Sequence, residues 1–189
     1  ILGILLCGKT DLSKIYGIEV QQEVAEMAQR SVKLNNLENR FEIINKNIKD
    51  LESVFDKNSF DFIITNPPYK KMDTGKTNEN SKKLISRHEI TATLKDFIKI
   101  SYIMLKDKGT LYMVHKPERL VDIIYQLRKN KIEPKEIRFV HPYEKKEPNL
   151  ILIKAVKNGG QFLKIDKPLY VYNERGEYTE EILKIYNKM

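Results

Sequence analysis

The sequence predicts an open, doubly wound α/β sandwich, with a mostly parallel sheet and an antiparallel hairpin at one edge. Three observations carry that expectation. Short apolar runs rich in Ile, Val and Phe alternate with segments of helical periodicity along the whole chain. Such alternation places helices over both faces of a parallel sheet. The last two long runs, 137–140 and 150–156, have only a polar stretch between them, so they are expected to pair antiparallel. At 189 residues, 41% hydrophobic and 32% charged, the chain also has one domain's worth of core.

The elements follow in order. Residues 1–7 are apolar and helix-like. The chain starts at Ile1, without a methionine and without a helix start signal, so residues upstream are expected to be missing from it. Residues 15–20 read as a short buried strand. The stretch 21–37 reads as a helix with Val24, Met27, Ala28, Val32 and Leu34 near one face, closing in Asn35-Asn36. A second strand covers 41–44 and ends near Asn47. A third, 60–65, is stopped by Asn66-Pro67-Pro68, because proline cannot donate to a strand ladder.

Residues 70–87 carry lysines, Asn, Ser, Thr and Gly but hardly an apolar side chain, and read as a basic surface loop. A long helix follows, with Ile90, Leu94, Phe97, Ile98 and 101–105 inward, ending at Gly109. Residues 110–115 form a strand, and Pro117 opens a helix through Leu127. Beyond the hairpin lie a short strand at 169–172 and a last helix over 179–186.

In sheets of this kind ligands bind beyond the carboxyl ends of the strands. Glu19, Asn47 and Asn66 each end a strand and are expected to gather there. Asn66-Pro67-Pro68-Tyr69 is the most specific signal. A conjugated exocyclic amine is a poor nucleophile, because its lone pair is delocalised into the ring. Two acceptors on its two N–H bonds, the Asn66 side-chain oxygen and the Pro67 carbonyl, favour a more tetrahedral nitrogen. Two prolines hold that carbonyl rigidly, which is the preorganisation that electrostatic catalysis needs. Tyr69 offers a stacking face worth about 1–3 kcal/mol to a base. The competing structural reading is a Pro-Pro turn with a packed tyrosine. Glu19 can accept both ribose hydroxyls of a nucleoside cofactor, or merely cap a helix. Asn47 and Ile48 can bracket a cofactor adenine.

Composition narrows the partners. The net charge of +8 attracts phosphate backbones. No apolar run approaches the roughly 20 residues that span a bilayer, so no membrane is expected. The single cysteine, Cys7, reads as a buried structural thiol, and the chain as cytoplasmic. Three scattered histidines suggest no metal site.

These residues resemble the bacterial tRNA1(Val) adenine-N6 methyltransferase family, among the "small domain" methyltransferases. Besides the Asn66–Tyr69 tetrad, Arg87-His88-Glu89, His115-Lys116-Pro117-Glu118-Arg119-Leu120 and Gly176-Glu177-Tyr178-Thr179 look like that family. The resemblance covers nearly all of 1–189, read as one methyltransferase domain. It implies a Rossmann-like class I methyltransferase fold with S-adenosyl-L-methionine as cofactor. The implied reaction is methylation of adenine 37 in a valine tRNA, by a monomer or weak dimer.

Carried over, Asn66, Pro67, Pro68 and Tyr69 hold the target amine, Glu19 the cofactor ribose, and Asn47 and Ile48 its adenine, with Asn66 also counted among the cofactor-binding residues. The family's central strand and Asp/Gly-rich loop are not in this sequence. Ile1-Leu2 resembles the residues directly after that loop. Lys70, Lys71, Arg87, His88, Lys116 and Arg119 are candidate RNA contacts, Lys70, Lys71, Lys76, Lys82 and Lys83 candidate parts of a positive lid, and His141 and Tyr143 candidate base contacts. Two other readings stay open: N5-methylation of a glutamine in a translation protein, and a non-catalytic RNA-binding module.

Overall fold

The computed structural model describes residues 1–69 and 92–186, which fall into two compact units. The first is built on Ile1–Val54. It contains α1 (Leu2–Lys9), β1 (Ile15–Glu19), α2 (Gln22–Leu34), β2 (Phe41–Asn45) and a 3-10 turn, Ile48–Ser53. Strands β1 and β2 pair parallel, from Ile15 opposite Phe41 to Glu19 opposite Asn45. Cys7, Val32 and Phe41 form the small core, so the thiol is buried as expected. Gly3 makes this packing possible, because a Cβ there would overlap the Phe41 ring.

Helix α1 leaves its last carbonyls without intrahelical partners. The Arg40 guanidinium satisfies that end and the link to β1. It donates to Cys7 O at 3.1 Å, Thr10 O at 2.7 Å and Leu12 O at 3.0 Å. One expectation is corrected in α2. Its inward residues are Ala25 and Val32, whereas Met27 and Leu34 are 54% and 82% exposed. Met27 and Leu34 lie seven residues apart and therefore share the outer face.

The second unit holds 55–69 and 93–186. Its six-stranded sheet begins with β3 (Phe60–Thr65) and β4 (Leu105–His115), paired parallel. Next come β6 (Leu150–Lys157) and β5 (Ile132–His141), with β6 antiparallel to both β4 and β5. Two short strands, β7 (Lys164–Ile165) and β8 (Leu169–Tyr170), pair parallel to β5. The expected antiparallel hairpin is present, but its strands lie inside the sheet, since β7 and β8 cover the outer side of β5. Pro134 sits within β5 where the register with β6 shifts, a position at which proline is tolerated.

Helices α3 (Leu94–Met104), α4 (Leu120–Lys129) and α5 (Glu180–Ile185) accompany this sheet. The core joins Ile98, Leu111, Ile123, Leu127 and Ile151, each 1% exposed or less. Thr93 and Asp96 start α3 with a reciprocal capping box. The basic loop 70–87 and Ile90 lie outside the described residues. No described helix is long and apolar enough to cross a membrane, and no described group of His, Cys, Asp and Glu could hold a metal.

Helix α3 stops at Met104, five residues short of the expected end at Gly109. The reason is a cation distant in sequence. Lys157, 5% exposed, donates to Tyr102 O at 2.6 Å and Leu105 O at 2.8 Å, capping the helix's carbonyl end. Its third bond goes to Asn58 Oδ1 at 2.6 Å, and the ammonium lies 4.4 Å from the Tyr102 ring centroid. Burial pushes the ammonium below the usual lysine range, and Asp107 only partly offsets this. Lys157→Met keeps most of the volume but leaves three acceptors bare. The expected loss is about 1–3 kcal/mol, read as a lowered urea midpoint; an unchanged midpoint would rule out the cap.

Candidate active site

The tetrad is placed by the way β3 ends. Thr65, 8% exposed, pairs with Met113 as the strand's last partner. Pro67 and Pro68 have no N–H to continue the ladder, and a residue before proline is held extended. Strand β4 continues two residues further, to His115, where it pairs with β6 through Ile151. Extending the parallel register sets His115 level with Pro67. Pro67 is fully buried, while Asn66 and Pro68 are exposed and Tyr69 is half-buried. Among the described residues the Asn66 amide has no hydrogen-bond partner.

The residues after β4 fix Tyr69. The His115 ring meets the Tyr69 ring edge-on, with centroids 5.1 Å apart at 66°. Lys116 Nζ stands 5.7 Å from the Tyr69 centroid and donates to Asn149 O at 3.2 Å. Arg119 donates from Nη1 to Tyr69 O at 3.3 Å and from Nε to Asp122 at 2.9 Å. Of the candidate RNA contacts, Lys116 and Arg119 are thus engaged with the turn itself. Lys70, Lys71, Lys76, Lys82, Lys83, Arg87 and His88 lie outside the described residues. His141 donates from Nδ1 to Lys146 O at 2.7 Å and packs on Tyr170, and Tyr143 packs on Tyr172.

His115 was not singled out from the sequence, yet it is 0% exposed and touches the tetrad. Its Nδ1 accepts the Lys116 N–H at 2.8 Å, and its Nε2 has no partner within hydrogen-bond geometry. Burial and then the Arg119 charge hold its pKa below the ordinary 6.5, against smaller opposing contributions from the Lys116 backbone, Glu118 and the Pro68 backbone. The available signal was the segment 115–120 itself, where a polar residue ends an apolar strand before a proline turn.

The first unit supplies a second group. Glu19 and Asn45 are register partners at the carboxyl ends of β1 and β2. Asn45 Nδ2 donates to Glu19 O at 2.8 Å, binding the two ends together. Glu19 Oε1 accepts Gln21 N–H at 2.9 Å, ahead of α2. Asn47 caps the following 3-10 turn by accepting Lys49 N–H at 3.1 Å, with Ile48 as the turn's first residue. A carboxylate, an amide and an apolar side chain at neighbouring strand ends suit a nucleoside: acceptor for a vicinal diol, polar edge and apolar face for a base.

A family model, the Eco57I restriction-modification methylase, matches residues 13–147, which include both groups. The chain belongs to this methylase family. Among curated relatives, the tRNA1(Val) (adenine(37)-N6)-methyltransferase of Porphyromonas gingivalis is 25% identical over 154 residues, covering 80% of this chain. The chain spans 60% of that relative's length. The protein of the same name from Parabacteroides distasonis is 24% identical over 186 residues, covering 96% of this chain and 75% of its own. A predicted O-methyltransferase from Agrobacterium tumefaciens superimposes with a TM-score of 0.73 at 20% identity, covering 92% of this chain and 77% of its own. That likeness establishes the class I methyltransferase fold expected from the sequence.

The lowered His115 pKa gives a pH signature. Between its folded value and 6.5 the unfolded chain binds more protons than the native one, so stability is lost as pH falls through that window. Urea midpoints measured across it are expected to drop toward acid, and the drop attributable to this group should vanish in His115→Gln. An identical slope in both proteins would remove the assignment.

Proposed function

We propose that this chain is the catalytic region of a cytoplasmic S-adenosylmethionine-dependent N-methyltransferase acting on the N6 amine of an adenine in tRNA. The proposed target is position 37 of a valine tRNA. The observation that carries this is the turn at Asn66–Tyr69: an exposed amide, a buried proline behind it, and a tyrosine braced by His115, Lys116 and Arg119. Membership of a methylase family and relatives named for this reaction support it.

Bound S-adenosylmethionine supplies an electrophilic sulfonium methyl. The chain's residues prepare the acceptor. Asn66 Oδ1 and the Pro67 carbonyl take the two amine hydrogens, drawing the nitrogen toward a tetrahedral form whose lone pair is free to attack. Both acceptors are set before the substrate arrives, so little reorganisation is spent during transfer. The adenine stacks on the Tyr69 face opposite Lys116. After transfer the nitrogen is cationic and its proton acidic, so no strong base is required. Glu19 holds the cofactor's ribose hydroxyls, and Asn47 with Ile48 its adenine.

An adenine must leave its stack to reach this turn. In an anticodon loop that costs less than the few kcal/mol needed in a duplex. Lys116 and Arg119, with Lys70, Lys71, Arg87 and His88, would provide phosphate contacts, and RNA affinity should then weaken as salt rises.

The decisive variant is Asn66→Ala, assayed with labelled cofactor in the full-length protein. Methyl transfer to bulk tRNA is expected to vanish while cofactor affinity by calorimetry stays within several-fold; a fully active variant would refute the role. Offering ribosomal protein extract beside tRNA tests the substrate. Label appearing only in protein would replace adenine with a glutamine amide, and no cofactor binding at all would leave a non-catalytic RNA-binding module.

A further inference from the structure

We infer that His115 is a positioning residue for the Pro67-Pro68-Tyr69 turn, acting as a neutral imidazole with its proton on Nε2. This rests on reading that turn as the amine-binding site.

The tautomer follows from one contact. Nδ1 accepts the Lys116 N–H at 2.8 Å, so its lone pair is in use and the ring proton sits on Nε2. Nε2 is buried without a partner within hydrogen-bond geometry, an uncommon state for a native polar atom. The Pro68 backbone is a polar group near enough to act on the ring, and proline offers only a carbonyl. A donor beside an acceptor, with the bond not fully closed, suits a group that tightens when substrate loads the turn. The same ring sets the Tyr69 ring edge-on at 5.1 Å, and full burial in an internal strand leaves it no room to swing away.

The charged surroundings reinforce the neutral form. A proton on Nδ1 would point at the Lys116 N–H, one donor against another. Arg119 adds a repulsive charge, Glu118 a weaker attractive one, and Tyr69 presents its ring. Neutral His115 therefore couples the end of β4 to both the carbonyl and the aromatic side of the turn. Neither Phe nor Gln reproduces both contacts: Phe keeps a ring, Gln a distal N–H.

The test uses the full-length protein and two readouts. In kinetics with bulk tRNA, His115→Phe is expected to lose about a hundredfold in kcat, the scale of a small misplacement at a reacting centre, with cofactor affinity unchanged. His115→Gln should recover about tenfold of that loss, and the acid limb of the wild-type pH profile should be absent from it. Equal losses in the two variants, or a loss confined to KM, would overturn the positioning role. Nitrogen-15 NMR of the wild-type imidazole is independent of turnover and of whether a variant folds. An Nε2–H tautomer is expected, and an Nδ1–H tautomer or an imidazolium at neutral pH would overturn the proposal. Failure of wild type to methylate any substrate would count against the proposed reaction while leaving the tautomer result to judge His115.

Discussion

Two consecutive prolines at the end of β3 impose the constraint on which the candidate site depends. Neither can donate to a ladder, so β3 ends at Thr65 while its parallel neighbour β4 runs on to His115. The mismatch makes a step at the carboxyl edge of the sheet. One residue of the step, Pro67, is buried, and its neighbours Asn66 and Pro68 are exposed. An amide is thereby carried into solvent on a backbone with almost no freedom to retreat. The overhanging end of β4 then supplies His115, Lys116 and Arg119 to Tyr69, so a single interruption of pairing both exposes the Asn66 amide and brings supports to the tyrosine beside it.

A second theme is the use of long cationic side chains on backbone carbonyls. Arg40 collects three carbonyls around the end of α1, Lys157 closes the end of α3, and Arg119 holds Tyr69 O. Lys135 gathers Gly160 O, Gln161 O and Phe162 O at 2.8–3.1 Å. These bonds satisfy acceptors that helix ends and turns leave without partners. The charge of +8 is consequently not a simple footprint for phosphate. Part of the basic composition is structural, and a lysine count taken along the chain overstates what remains for an RNA partner.

This division explains what was legible in the sequence. Strand β3 and its stop were readable because an apolar run and two prolines are local signals, and the observed bounds agree with the expected 60–65. The parallel-plus-hairpin character followed from alternation and from the lack of a helix between 140 and 150. The end of α3 was not readable, because Lys157 caps it from more than fifty residues away. Met27 and Leu34 misled for a different reason: they are apolar residues on an outward face, which periodicity alone can assign to the core. His115 was legible only as part of the family-like segment 115–120 and without a role, because that role depends on burial and on the Lys116 N–H, neither of which a residue type reveals. Of the site, the acceptor pair could be read directly, whereas the groups that hold it in place required the sheet register.

The tetrad alone does not choose a substrate, since an adenine N6 and a carboxamide both present a planar NH2 to an amide oxygen and a carbonyl. The difference lies in what extends beyond that group. A purine adds a broad ring that gains about 1–3 kcal/mol by stacking on an aromatic face, whereas a glutamine side chain gains little from the same ring. Here the Tyr69 ring has an edge contact with His115 and the Lys116 ammonium near its face, while Arg119 holds its backbone carbonyl. A ring ordered in advance favours binding of a flat group against it, because the entropy of ordering is then spent before binding. A floppy amide would need the acceptors but not the fixed ring. The contacts around Tyr69, more than the identity of the tetrad, are what support the proposed nucleobase substrate.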